Sequence, residues 1–146
     1  MGKAANSSIS LKQIHVTDNF WNKYVHLVKD VIIPYQWDIL NDKLEDVETS
    51  HCIENFKIAA GEKEGEFQGA VFQDTDVAKW LEAVGFVLNY ERDEKLEELA
   101  DETIELIGRA QQPDGYLDTY YIINGLEKRF TNLMDHHELY LSLIHI

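Results

Sequence analysis

The fold is decided by one stretch of the chain, residues 74–110, which reads DTDVAKWLEAVGFVLNYERDEKLEELADETIELIGRA. Its first half places apolar residues from Val77 to Leu88 on one face at 3.6 residues per turn. A short polar connection, residues 89–92, leads to a second helix that Asp93 caps and whose acidic residues face outward. Because two amphipathic helices with a short connection form an αα-hairpin, the sequence predicts an all-α fold around this pair.

Two further helices are predicted before the hairpin. The first is capped by Thr17 or Asp18. Pro34 should kink or break this helix near Ile33, because proline lacks a backbone donor and clashes with the preceding turn. A shorter second helix is expected to end at Gly61.

After the hairpin, the sequence predicts a turn, an extended segment and a last helix. Residues 113–115, Pro-Asp-Gly, are the residue types of a tight turn. Residues 116–123 are expected to be extended or to form a β-hairpin turning at 124–125, and a last helix starts near Asn132. Residues 12–16 alternate like a short strand. The predicted fold is therefore all-α with short β segments. The loosely recurring helix pairs suit an α/α toroid or solenoid.

Composition excludes several classes of partner. The 146 residues carry 27 acidic and 13 basic side chains, a net charge of −14. No basic patch is available to neutralise phosphates, so neither nucleic acid nor an anionic membrane is an expected partner. The N-terminus has no apolar signal-peptide core, and a cytoplasmic location is expected. The single cysteine, Cys52, is interpreted as a buried inert thiol.

Two pairs of carboxylates are candidates for chemistry. Asp74 and Asp76 do not share a helix face, so one is interpreted as a helix cap and the other as favouring the helix dipole. Binding of a substrate hydroxyl is the alternative. Asp114 and Asp118 could flank a glycosidic bond as acid and base, but turn chemistry accounts for Asp114. Asp118 lies beside three tyrosines, which suit either stacking on a sugar or core packing.

A histidine pair is the other candidate. His136, His137 and Glu138 resemble part of a zinc-protease motif, but that motif needs a second histidine where Leu141 stands. Adjacent histidines point in different directions on a helix. A single histidine that binds a substrate or a core partner is therefore the preferred interpretation.

Several segments occur together in a specific order between residues 12 and 140. They are IPYQW (33–37), KIAAGE (57–62), FQDTDVAKWLE (72–82), residues 109–121 and HELY (137–140). In these segments the chain resembles the N-terminal part of glycoside hydrolase family 127, the β-L-arabinofuranosidases. The resemblance implies an (α/α)6 barrel, or toroid, in the whole protein.

The resemblance also implies a reaction. Members are retaining hydrolases in which a zinc-bound cysteine thiolate attacks the anomeric carbon and a glutamate serves as acid/base. Zinc is thus the cofactor expected for the full-length parent, and its ligands, the nucleophile and the acid/base are expected outside this chain. No catalytic and no metal-binding residue is assigned here. Of the family's sugar-binding residues, the histidine of the HELY motif corresponds to His137. Residues in the other matching motifs are further substrate-binding candidates: Gln36, Trp37, Gln73, Asp74 and Asp118.

The predicted organisation has three parts. Residues 1–10 are expected to be a disordered leader, 11–140 an N-terminal fragment of the helical barrel, and 141–146 a non-native tail derived from a sequencing adapter. The predicted function is that of a fragment of a β-L-arabinofuranosidase acting on plant oligosaccharides, inactive alone, whose partners are a carbohydrate and the remainder of the barrel. The alternatives are another α/α-toroid glycosidase, a polysaccharide lyase, or a non-catalytic helical interaction domain.

Overall fold

A computed structural model describes residues 9–132, and within this range every regular element is helical. The α-helices are α1 (Trp21–Leu27), α2 (Ile33–Leu40), α3 (Cys52–Ala59), α4 (Asp74–Tyr90), α5 (Glu94–Ala110) and α6 (Thr119–Asn124). A 3-10 turn (Leu11–Gln13) precedes them and another (Leu126–Lys128) follows them. The predicted all-α class is confirmed for these residues.

The predicted β segments are wrong. Residues 12–16 begin in a 3-10 turn and continue without regular structure. The segment 116–123 is not extended, because residues from Thr119 onward form α6. The Asp118 side chain caps this short helix by accepting a hydrogen bond from the backbone N–H of Tyr121. A local cap and burial thus override the β preference of a Thr-Tyr-Tyr-Ile-Ile run.

The first two helices are joined by a π-helical turn, Val28–Ile32. Asp18 caps α1 as predicted, since its carboxylate accepts hydrogen bonds from the backbone N–H groups of Phe20 and Trp21. The backbone N–H of Ile33 reaches back five residues, to the carbonyl of Val28. The irregularity expected before Pro34 is therefore present, but the chain stays helical instead of breaking.

The α4–α5 hairpin forms as the sequence predicts. Asp93 caps α5 through hydrogen bonds from the backbone N–H groups of Lys95 and Leu96. On α5, Leu106 is buried whereas Ile104 is 52% exposed. Gly61, with φ at +73°, follows the end of α3 as predicted.

Helix α4 is the centre of the packing, since it contacts α2, α3 and α5. Trp80 on α4 is 2% exposed, and its indole N–H donates to the carbonyl of Ile33 over 3.1 Å. The ring of Trp37 from α2 lies against Trp80, with 4.5 Å between ring centroids. Helix α3 also packs against α5 and α6, so α6 joins the bundle through α3.

Candidate functional site

A buried polar cluster joins the start of α4 to the start of α6. The carboxylate of Asp74 accepts a hydrogen bond from the Thr119 backbone N–H at 2.7 Å and another from the Thr119 hydroxyl at 2.6 Å. Asp74 is 4% exposed, and Thr119 is fully buried. The prediction that Asp74 or Asp76 caps α4 is wrong, because both residues lie in the first turn of the helix, and the Asp74 carboxylate is bonded to α6. The cluster ties two helix starts together.

Burial dominates the electrostatics of Asp74. Loss of solvent raises the pKa of this carboxyl from 3.8 to about 7, against the two hydrogen bonds from Thr119, which lower it. The nearby Asp118 carboxylate raises it further. Asp118 is itself fully buried, and it caps α6. Two buried carboxyl groups therefore influence each other at this junction, where a proton is held near neutral pH.

Gln73 adjoins the cluster, but its polar groups have local partners. Its side-chain carbonyl accepts a hydrogen bond from the backbone N–H of Ala70 at 2.7 Å. Its backbone carbonyl accepts a hydrogen bond from the Cys52 thiol at 2.9 Å. Burial raises the pKa of this fully buried thiol well above its usual range. The predicted burial of Cys52 is confirmed, and the thiol is unsuited to act as a nucleophile.

The two candidates on α2 differ in exposure. Gln36 is exposed, whereas Trp37 is half-buried against Trp80. Trp37 lines a cleft of about 360 Å³ between α2, α3 and α5, and none of the other candidates lines that cleft. The structure therefore brings Gln73, Asp74 and Asp118 together and places Trp37 with a different group of side chains.

Asp114 and Asp118 do not form an acid/base couple. Asp114 is a turn residue, as the sequence indicates, because it accepts a hydrogen bond from the Tyr116 backbone N–H. It also pairs with Arg129 at 2.7 Å, and these contacts lower its pKa. Asp114 is exposed whereas Asp118 is fully buried, so a glycosidic bond could not lie between them.

Two other predictions concern His137 and the zinc cofactor. His137, the strongest sequence candidate, lies outside the described residues, as do the leader residues 1–8 and the tail 141–146. Among residues 9–132, no group of three or more potential metal-ligating side chains comes together. The described residues therefore do not fit a zinc site.

Thr119 is the residue that sequence reasoning missed. It follows Asp118 in a segment read as extended, and no local pattern connects it to a carboxylate 45 positions earlier. Asp74 and Thr119 meet in the tertiary structure, where α3 packs against both α4 and α6. The available signal was the Asp-Thr pair, which can also start a helix.

Comparison with known proteins gives the family. The family model described as "Beta-L-arabinofuranosidase, GH127 catalytic domain" matches residues 13–145. The chain belongs to the GH127 family. The resemblance recognised from the sequence is thereby confirmed.

Members of GH127 are similar to this chain both in sequence and in structure. A non-reducing end β-L-arabinofuranosidase from Bifidobacterium longum subsp. longum is 40% identical over 144 aligned positions, covering 88% of this chain and 22% of the relative. The crystal structure of a GH127 β-L-arabinofuranosidase from Geobacillus stearothermophilus T6 matches with a TM-score of 0.85 and 59% identity, covering 90% of this chain and 21% of that one. The GH127 β-arabinofuranosidase BT3674 matches with a TM-score of 0.76 and 29% identity, covering 94% of this chain and 22% of its own.

The chain thus spans about a fifth of the length of the relatives that it matches. Within residues 9–132, no helix is both long and apolar enough to cross a membrane.

Proposed function

We propose that this chain is the N-terminal helical part of a retaining β-L-arabinofuranosidase that releases L-arabinofuranose from plant oligosaccharides. The observation that supports this most is the 59% identity and TM-score of 0.85 to a GH127 β-L-arabinofuranosidase over 90% of the chain. The proposed substrate class, L-arabinofuranosides, follows from the names of the relatives, which are β-L-arabinofuranosidases. The cytoplasmic location stays a prediction from the N-terminal sequence.

The role proposed for the described residues is to build the scaffold at one end of the barrel. Asp74 and Thr119 hold the start of α6 against the start of α4 through two short hydrogen bonds. A hydrogen bond from Arg129 to Asp114 joins the end of the second 3-10 turn to the turn at residues 113–115. Such fixed contacts can position a sugar-binding side chain on the next segment, where the HELY motif places His137.

The chemistry is proposed to come from outside this chain. A retaining reaction needs a nucleophile and an acid/base group that the substrate can reach. Asp74 and Asp118 are buried, and the Cys52 thiol is buried with a raised pKa. We therefore assign no catalytic step to these residues. Zinc, the cysteine nucleophile and the glutamate acid/base remain expectations for the rest of the parent protein.

A chimeric enzyme tests the proposal. Residues 13–140 would replace the matching segment of the Geobacillus GH127 enzyme, and hydrolysis of an aryl β-L-arabinofuranoside would be measured by release of the aryl group. We expect the folded chimera to hydrolyse this substrate and the isolated 146-residue chain to release no product. His137→Ala in the chimera should lower kcat/KM, whereas the neighbouring His136→Ala is the matched control.

Two results would refute the proposal. One is turnover by the isolated chain, which would place a nucleophile within it. The other is a chimera with native helix content by circular dichroism that fails to hydrolyse the arabinofuranoside. Among the alternatives, a glycosidase or lyase that uses Asp118 directly is disfavoured by the full burial of that side chain.

A further inference from the structure

The cleft between α2, α3 and α5 combines an apolar base with a polar rim. Its base includes Ile53 and Leu106, both buried, and the half-buried Trp37. Its volume of about 360 Å³ falls in the range of roughly 300–1,000 Å³ that is usual for small-molecule sites. The cleft thus has room for a small ligand.

The aromatic wall of this cleft is the ring of Trp37, which packs against a second tryptophan. Trp37 lies against Trp80, which is buried and hydrogen-bonded to the backbone of α2 through its indole N–H. A side chain packed in this way loses little further entropy when a ligand binds to it. Trp37 is therefore a preorganised flat surface in the cleft.

The rim carries side chains of both signs. Arg109 pairs with Glu62 at 2.5 Å and lies 3.8 Å from Glu105, so these charges are largely matched. Lys57 and Glu102 also line the cleft, and within residues 9–132 neither forms a salt bridge. The rim therefore presents both a cationic donor and an anionic acceptor to a ligand.

These charges select the class of ligand. The cleft has three carboxylates and two cations on a chain of net charge −14, which disfavours an anionic ligand. A purely apolar partner would bury Lys57 and Glu102 without hydrogen bonds, at a substantial cost. A neutral sugar has hydroxyl groups that donate to Glu102 and accept from Lys57. Its C–H face can lie on an aromatic ring.

We propose that the cleft between α2, α3 and α5 binds one neutral sugar unit of an oligosaccharide, with Trp37 as the stacking surface and with Lys57 and Glu102 as hydroxyl partners. This inference deepens the proposed function and rests on it, because the oligosaccharide is taken to be L-arabinofuranosyl. The cleft gives Trp37 a role in sugar binding that is separate from the Asp74–Thr119 junction.

The test is a titration with a sulfur-linked L-arabinofuranosyl disaccharide, which resists hydrolysis. The indole N–H resonances of the 146-residue chain would be followed by NMR. We expect a saturable shift of the Trp37 resonance with a dissociation constant of about 1–10 mM. The Trp21 resonance, from an indole that is 60% exposed on α1, should stay in place and serves as an internal control.

Substitutions at the rim distinguish binding of the disaccharide in the cleft from nonspecific binding elsewhere on the chain. Lys57→Met and Glu102→Gln should each weaken binding about fivefold, which corresponds to roughly one hydrogen bond. Glu98→Gln, at an exposed position of α5 outside the cleft, should bind like the unaltered chain. The same variants would be titrated by calorimetry in the chimeric enzyme, so that self-association of the isolated chain does not decide the result.

The inference is overturned if no saturable shift occurs, if Trp21 shifts as much as Trp37, or if both rim variants bind with unchanged affinity. Hydrolysis by the chimera is read out separately. An inactive chimera that still binds the disaccharide through Lys57 and Glu102 would refute the proposed activity and leave the cleft site standing.

Discussion

At the scale of single residues, Asp74 makes the fold sensitive to pH. Its pKa is about 7 in the folded chain and 3.8 ordinarily, because burial penalises the charged form. The protonated form is thus favoured by folding. The corresponding stability is fully present below pH 4 and is lost as the pH rises through 7.

We predict that Asp74→Asn flattens this dependence. Between about pH 4 and pH 7.5, the free energy of unfolding of the unaltered chain should fall, relative to the variant, by an amount on the order of 4 kcal/mol or less. Urea unfolding followed by circular dichroism at several pH values measures the difference. Asp76→Asn, at an exposed position of the same helix turn, is the control. A difference between Asp74→Asn and the unaltered chain that does not change with pH would contradict the prediction.

Thr119 should also contribute to the free energy of unfolding, because it donates hydrogen bonds to the Asp74 carboxylate. Thr119→Val keeps the shape of the side chain but removes the hydroxyl that donates to Asp74 at 2.6 Å. We predict a loss of about 1–3 kcal/mol in the free energy of unfolding, because a buried acceptor loses its partner. Thr131→Val removes a hydroxyl that donates to the carbonyl of Lys128 at an exposed position, and it should cost less. Equal losses in urea unfolding would show that burial of Asp74 is not the cause.

At the scale of the elements, the helix ends were predictable wherever the cap is local. Asp18 and Asp93 each accept backbone hydrogen bonds two and three residues further along the chain, so the sequence alone contains the signal. Helix α6 was missed because its Thr-Tyr-Tyr-Ile-Ile run prefers extended structure and the helix has only six residues. The role of Asp74 was missed because its partner lies 45 residues away.

The cap of α5 gives a prediction at this scale. Asp93→Ala should destabilise the chain by about 1 kcal/mol, because two backbone N–H groups at the start of α5 lose their acceptor. Asp101→Ala, at an exposed position within the same helix, is the control and should change the stability little. Midpoints of urea unfolding at constant slope measure both. An Asp93→Ala midpoint equal to that of Asp101→Ala would argue that the cap contributes nothing.

At the scale of the whole molecule, the chain leaves a long apolar stripe uncovered. Side chains at helical spacing along α1, the π-helical turn and α2 are 42–60% exposed: Trp21, Tyr24, Leu27, Val31 and Tyr35. A patch of this kind marks a surface made for contact with other protein. The sequence indicated such faces through its apolar helices, but only the packing around α4 identifies which of them stay open.

We predict that the isolated chain self-associates through this stripe. Sedimentation velocity should show species larger than the monomer whose population grows with concentration. Trp21→Lys combined with Val31→Lys should shift the distribution toward monomer, because charges at these positions would have to be desolvated. Glu98→Lys, which changes an exposed position of α5, is the control. A chain that stays monomeric at high concentration would contradict the prediction.

The candidate site was predictable in parts. Local motifs identified Asp114 as a turn residue and Cys52 as a buried thiol, and both assignments are confirmed. Sequence proximity could not show that Trp37 lines a cleft to which neither Asp74 nor Asp118 contributes, since that separation depends on how the helices pack on the same bundle. The substrate contacts of the candidate residues stay predictions.

The stacked pair of Trp37 and Trp80 has a consequence for spectroscopy. Indole rings 4.5 Å apart couple their electronic transitions, so the folded chain should show a pair of circular-dichroism bands of opposite sign. The third tryptophan, Trp21, is 60% exposed on α1, so it should contribute the red-shifted part of the fluorescence. The optical signals therefore report on the stacked pair of Trp37 and Trp80 and, separately, on the apolar stripe that includes Trp21 within one unlabelled molecule.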